Sequence, residues 1–341
     1  MFGRNACSNS LDLFHLLNPS LNHIRVLDAA TAGGPVFPPS AAKHLFNIHS
    51  SANSFHASFH QRLLPRVRFW HNSPLRTVED EKMDLPVNDW YQAIFKRHSR
   101  RNYADRLPEE EKVARLEKVC RDFRPFPEAR AEFIRIRPDR VFRGLVGHYG
   151  RVNNAPYYVA FIGDGSSAHF QEAVGYTGEG IILETAALEL NSCWVGGFFR
   201  PESVKKHVRL EGNEIVLAVT PVGYAVEKKG LSERSLSAFA KSHKRKPWSK
   251  LAEGPIGEPW MEKALEAARL SPSAVNRQPW RFRSEDKAIS ISADDSKSVS
   301  PISKRLDCGI AMLHFELGAR AAGVNGRWEL LPPPAVARFV Y

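Results

Sequence analysis

Two stretches of this 341-residue chain are apolar almost all the way round a helix, and they constrain its fold more than any other feature. Residues 180–190 carry only Glu184 and Glu189 as charges. Residues 306–323 read Leu-Asp-Cys-Gly-Ile-Ala-Met-Leu-His-Phe-Glu-Leu-Gly-Ala-Arg-Ala-Ala-Gly. A helix without a polar stripe cannot lie on a surface, so the first of these is expected at the centre of the fold. The second echoes it. Gly180-Ile181 with Leu188 stands beside Gly309-Ile310 with Leu317, a faint internal repeat. Neither stretch reaches the ~18 consecutive apolar residues of a membrane span, so no membrane partner is expected.

Around these helices the chain alternates between helical and strand patterns. Asn88 or Asp89 is placed to cap a helix through Trp90, Ile94 and Phe95. Leu107-Pro108-Glu109-Glu110 opens another through Val113, Leu116 and Val119. Residues 157–162 and 215–222 read as strands, stopped by Gly163-Asp164-Gly165 and Gly223. Residues 227–250 read as a connector. Beyond it, residues 258–270 are helical, 288–292 form a short strand, and Pro332-Pro333-Pro334 ends regular structure. This organisation gives a first half over 86–250 and a second over 251–341.

Residues 1–85 differ from the rest. They hold seven of the 13 histidines, and up to Val78 the only acids are Asp12 and Asp28. Three readings stand: an organellar targeting peptide, a poorly ordered extension, or a start placed upstream of Met83. Without an address, the default location is cytoplasmic.

The net charge of +11 raises nucleic acid, membranes and anionic ligands as partners. Lys and Arg are interleaved with acids, however, and only residues 243–246 form a compact basic cluster. Nucleic acid is therefore not expected. Cys7, Cys120, Cys193 and Cys308 form no C-x-x-C pair, so a metal site is not expected either.

Three motifs can carry chemistry. Arg97-His98-Ser99-Arg100-Arg101 offers guanidiniums and a hydroxyl suited to a phosphate, or else a solvated helix end. Ser271-Pro272-Ser273-Ala274-Val275-Asn276-Arg277-Gln278-Pro279-Trp280 offers small residues and two amides for a planar ring, or else a turn. Asn191-Ser192-Cys193-Trp194-Val195-Gly196-Gly197-Phe198 lets backbone N–H groups approach a flat ligand, or else caps a helix before a bend.

Taken together, the three resemble the nitroreductase-like FMN-dependent superfamily. Residues 97–101 resemble its Arg-x-Ser-x-Arg element. Residues 272–280 resemble its Pro-Ser-x-x-Asn-x-Gln-Pro-Trp element, the most specific of the three. Residues 178–190 with 194–198 resemble its central helix and flavin-facing loop. The second element lies about 170 residues after the first. This order resembles the Thermotoga-type subfamily rather than the common homodimers, whose flavin lies between subunits.

The resemblance implies an α+β nitroreductase-like fold, with a mixed, mainly antiparallel sheet flanked by helices. It implies a monomeric pseudo-dimer whose two halves build one flavin site. Arg97, Ser99 and Arg101 would hold the FMN phosphate, with Arg245 as a further cation. Pro272, Ser273, Ala274, Asn276 and Gln278 would line the ring and ribityl region. Gly196 and Gly197 would present N–H groups near flavin N5, Gly196 standing where many relatives carry Glu. NADH or NADPH would supply hydride, and a nitroaromatic, quinone or related small molecule would accept it in ping-pong order. No side-chain catalyst is required, and His98 and His314 read as structural. The alternative is a degenerate member that binds flavin or a partner without turnover.

Overall fold

The computed structural model describes residues 84–142, 152–227, 244–297 and 302–341. Readings that fall on residues 1–83, and on 228–243 of the connector, lie outside the described residues.

The first elements are helices α1 (Val87–Lys96) and α2 (Glu110–Asp122), strand β1 (Ala129–Ile134), the short helix α3 (Asp139–Phe142) and strand β2 (Tyr157–Asp164). Helix α4 (Phe170–Ala187), the short α5 (Pro201–Val204) and β3 (Glu214–Val222) follow. Then come β4 (Ala252–Glu253), α6 (Pro259–Arg269), β5 (Trp280–Glu285), β6 (Ala288–Ala293), α7 (Lys304–Ala321), β7 (Arg327–Leu330) and β8 (Ala335–Val340). The class is α+β, as expected. The strands divide into two sheets. One has the order β1-β2-β3 and is antiparallel throughout. The other has the order β4-β5-β6-β8-β7, and only its β4–β5 pair is parallel.

Alternation along β2 explains why it sits in the middle of its sheet. Val159 and Phe161 join the main core with α4, while Tyr158, Ala160 and Ile162 join a second cluster with Val141, Val204 and Val219. Both faces of this strand are covered, which is why its sequence is a continuous apolar run. The second sheet is pinned to α7 through Phe315, whose ring stacks on Phe282 at 5.3 Å and meets Phe339 edge-on at 5.4 Å.

Helices α4 and α7 form the centre. Contacts advance together along both, from Glu172 with Arg305 to Glu179 with His314, so the two run in the same sense. They cross where glycine faces backbone: Gly175 against Leu306, and Gly309 against Glu172. Their buried acids are each bonded. Glu172 takes Arg305 and His169, Glu184 takes Trp90 and Arg115, and Glu316 takes Tyr176 and Arg320. A buried charge without partners would cost several kcal/mol, roughly the size of a domain's whole stability.

Three boundaries differ from the sequence reading. Helix α4 starts at Phe170, ten residues before 180, because Glu172 and Glu179 find bonding partners on α7. Pro86, not Asn88 or Asp89, precedes α1, and its carbonyl accepts the Trp90 N–H at 3.0 Å. The proline run does not end regular structure. It turns the chain back into β8, whose Val336 and Phe339 are fully buried. Cys120, Cys193 and Cys308 are buried, and burial pushes the Cys120 and Cys308 thiols up, consistent with inert thiols there.

Candidate functional site

Helix α1 ends at Arg97, where the backbone turns extended. The Arg100 N–H donates to the Ser192 carbonyl at 3.0 Å, and Ser99 pairs with Ser192 as an isolated bridge. The first motif therefore lies along the stretch that leads into residues 194–198. Ser99 is exposed, and Arg101 is half-buried with its carbonyl accepting from Asn153.

The Arg97 side chain is 9% exposed, and its Nε lies 3.9 Å from Glu179 Oε1. That Nε is buried and has no hydrogen-bond partner. Burial lowers the Arg97 pKa, against the opposing field of Glu179. Arg245, much later in the sequence, lies within reach of the Arg97 charge. Its pKa is also lowered, first by burial and then by the positive fields of Arg97 and Arg269. Two partly desolvated guanidiniums whose charges reach each other are each favoured by a nearby anion.

Arg245 is held by the loop that follows α6. It donates to Asn276 Oδ1 at 3.2 Å and to the Leu270 carbonyl at 3.2 Å. Asn276 Nδ2 donates to the Lys244 carbonyl at 2.9 Å. Gln278 is buried, accepts the Lys246 N–H at 2.8 Å, and donates to the Lys244 and Asn276 carbonyls. The two amides expected to read a ring edge thus bond residues 244–246. Ser273 Oγ accepts the Gln278 N–H at 2.9 Å.

The loop is strained. Val275, Asn276 and Gln278 have φ of 47°, 55° and 48°, a region that non-glycine residues adopt at a cost and Val most of all. Asp307 on α7 helps to hold it there. Its carboxylate accepts the Ala274 N–H at 3.1 Å and Arg277 Nε at 2.6 Å. Burial lifts this carboxyl to about 6, opposed by the charge of Arg277.

Arg277 also donates to the Ile302 carbonyl at 2.8 Å, and Ile302 reaches the third motif. A Cβ on Gly196 would lie 3.1 Å from Ile302 Cδ1. Gly197 is exposed. Trp194 is fixed from behind: its indole N–H donates to Glu179 at 2.6 Å, and its ring leans on Phe161 at 4.6 Å. Gly178 leaves room for that ring, since a Cβ there would come within 2.4 Å of it.

All three motifs are therefore linked by contacts. Arg97, Arg245 and Asn276 form one chain of interactions; Gly196, Ile302, Arg277 and Asp307 form another. Pro272, Ser273 and Ala274 are half-buried in the loop joining them. The sequence reading missed Glu179, Arg277 and Asp307. The usable signal was an acid inside an apolar helix, which must find a cationic or donor partner.

Residues 89–319, more than half of the chain, match the model of the "Putative TM nitroreductase" family. The chain belongs to that family. This nitroreductase-family chain is 30% identical over 79 residues to "Putative NAD(P)H nitroreductase acg" of Mycobacterium tuberculosis, a match covering 22% of this chain and 24% of that protein. Its fold is similar to the crystal structure of "a putative nitroreductase" from Thermotoga maritima MSB8. That likeness has a TM-score of 0.50 and 19% identity, and covers 76% of this chain and 94% of the other. A nitroreductase family protein from Clostridium difficile 630 is similar at 21% identity and a TM-score of 0.35, over 48% of this chain and 94% of the other. No helix among the described residues is long and apolar enough to cross a membrane.

Proposed function

We propose that this chain is an FMN-dependent NAD(P)H oxidoreductase acting on a nitroaromatic, quinone or related small acceptor. The observation that carries the reading is the Arg97–Arg245 pair: two guanidiniums with lowered pKa, one of them with a buried, unpartnered Nε. A phosphate monoester, charged about −1.5 to −2 at neutral pH, fits that donor set.

When bound, FMN supplies the two-electron chemistry, taking hydride from NADH or NADPH and passing it to the acceptor in ping-pong order. Arg97 and Arg245 anchor the phosphate, with Ser99 and Arg101 beside them. Asn276 and Gln278 brace Arg245 by holding residues 244–246. Ser273 and Ala274 line the ring side of the strained loop. Gly196 and Gly197 leave the backbone open to a flat ligand, while Trp194 is kept from moving by Glu179. No side-chain acid or nucleophile is assigned. Because Arg97 lies in the first half and the loop that holds Arg245 lies in the second, a single composite site per chain follows, and a monomer suffices.

A second reading, a flavin-binding or interaction protein without turnover, is favoured by one observation. The Asn276 and Gln278 amides are occupied by residues 244–246. Flavin titration followed by NADH or NADPH reduction separates the two. Retained flavin that neither nucleotide reduces selects the second.

A further inference from the structure

Glu179 is fully buried in α4, and its carboxylate faces groups from three parts of the chain. Oε2 accepts the Trp194 indole N–H at 2.6 Å. Oε1 faces His314 Nε2 at 2.9 Å and Arg97 Nε at 3.9 Å. The His314 ring, on α7, is fully buried, and its Nδ1 lies 3.1 Å from the Ala267 carbonyl on α6.

The partners dictate where the hydrogens are. A carbonyl oxygen can only accept, so Nδ1 carries a hydrogen. Glu179 has an indole donor on one oxygen and a guanidinium beside the other, and a carboxylate can accept from both. A carboxylate also only accepts, so the 2.9 Å contact to it calls for a hydrogen on Nε2 as well.

We propose that Glu179 and His314 form a buried carboxylate–imidazolium pair that leaves the full charge of Arg97 and Arg245 available to a phosphate monoester. With a neutral imidazole, Glu179 would cancel one guanidinium. With an imidazolium, the pair neutralises itself and the two arginines match a dianion. Glu179 and His314 are positioning residues: they act through Arg97 and Trp194 and touch no ligand. The anion half of this proposal rests on the FMN reading; the protonation half does not.

The test uses the full chain with ¹⁵N-labelled histidine at neutral pH. NMR should find hydrogens on both His314 ring nitrogens, with the signals assigned by their loss in His314→Gln. One bare nitrogen overturns the pair, whatever the chain does with flavin. Affinities for FMN and for riboflavin, which lacks the phosphate, test the anion half. His314→Gln keeps a donor toward Glu179 but no charge. It should lower FMN affinity about tenfold while leaving riboflavin unchanged, as expected for one charge felt across a few ångströms of protein. The double variant Glu179→Gln/His314→Gln removes both charges and should restore the FMN-to-riboflavin ratio. Equal losses for both flavins, or no restoration, would mean a packing role only and overturn the anion half. A native chain that prefers FMN no more than riboflavin overturns that half together with the phosphate site, and leaves the NMR result to stand or fall alone. Should His314→Gln fail to fold, Glu179→Gln assigns the His314 signals by shifting them and supplies the affinity comparison.

Discussion

Gly175 and Gly309 sit at the crossing of α4 and α7, each against the other helix's backbone. A Cβ on Gly175 would come 2.1 Å from the Leu306 carbonyl oxygen, and one on Gly309 would come 2.0 Å from the Glu172 carbonyl oxygen. Both distances are far inside contact, and the obstacle is backbone that cannot rotate away. Glycine is needed here for space. Gly309→Ala is predicted to destabilise the chain by about 3 kcal/mol or more, the upper range for overpacking. An unchanged urea midpoint would show that the helices can separate without cost.

Much of this centre is legible in the sequence, because an apolar helix has only one place to go. The strands over 157–162 and 215–222 are equally plain, since β2 is buried on both faces. The start of α4 is not. Glu172 and Glu179 look like surface residues until Arg305 and His314, more than 130 positions away, are seen to meet them. The site divides the same way. Arg97 and the loop over 272–278 stand out as motifs, whereas Asp307 and Arg277 matter through a contact that no local pattern encodes. The proline run misled because a rigid turn and a chain end look alike in sequence; the buried Phe339 beyond it separates them.

Asp307 gives a pH prediction with a definite sign. Burial raises its carboxyl to about 6 in the folded chain. The unfolded value is about 4. The resulting contribution to stability is present in full below about 4 and is lost as the pH rises through about 6. Asp307→Asn has no such equilibrium. The stability of the native chain relative to this variant should fall by about 3 kcal/mol between about pH 4 and 7. A difference independent of pH would mean that the Arg277 contact offsets the desolvation.

Arg97→Ala and Arg245→Ala each remove one proposed charge-assisted phosphate contact, worth about 1.5–3 kcal/mol. FMN affinity should fall by roughly tenfold to a hundredfold in each, read by fluorescence titration, with riboflavin affected less. Equal weakening of both flavins would place the phosphate elsewhere.

Asn276→Ala removes the brace between Arg245 and the Lys244 carbonyl. It should cost about 0.5–1.5 kcal/mol of stability, the ordinary worth of a half-buried hydrogen bond. Flavin affinity should fall by less than in Arg97→Ala. A larger loss would show that the amide contacts the ligand directly.

The central claim is that one chain builds one complete flavin site. The most direct test is the visible absorbance spectrum of the purified full chain, taken before and after FMN is added and the excess removed by desalting. The account predicts a retained flavin spectrum close to one equivalent per chain. A colourless protein that takes up no FMN, or one that retains two equivalents, would contradict it.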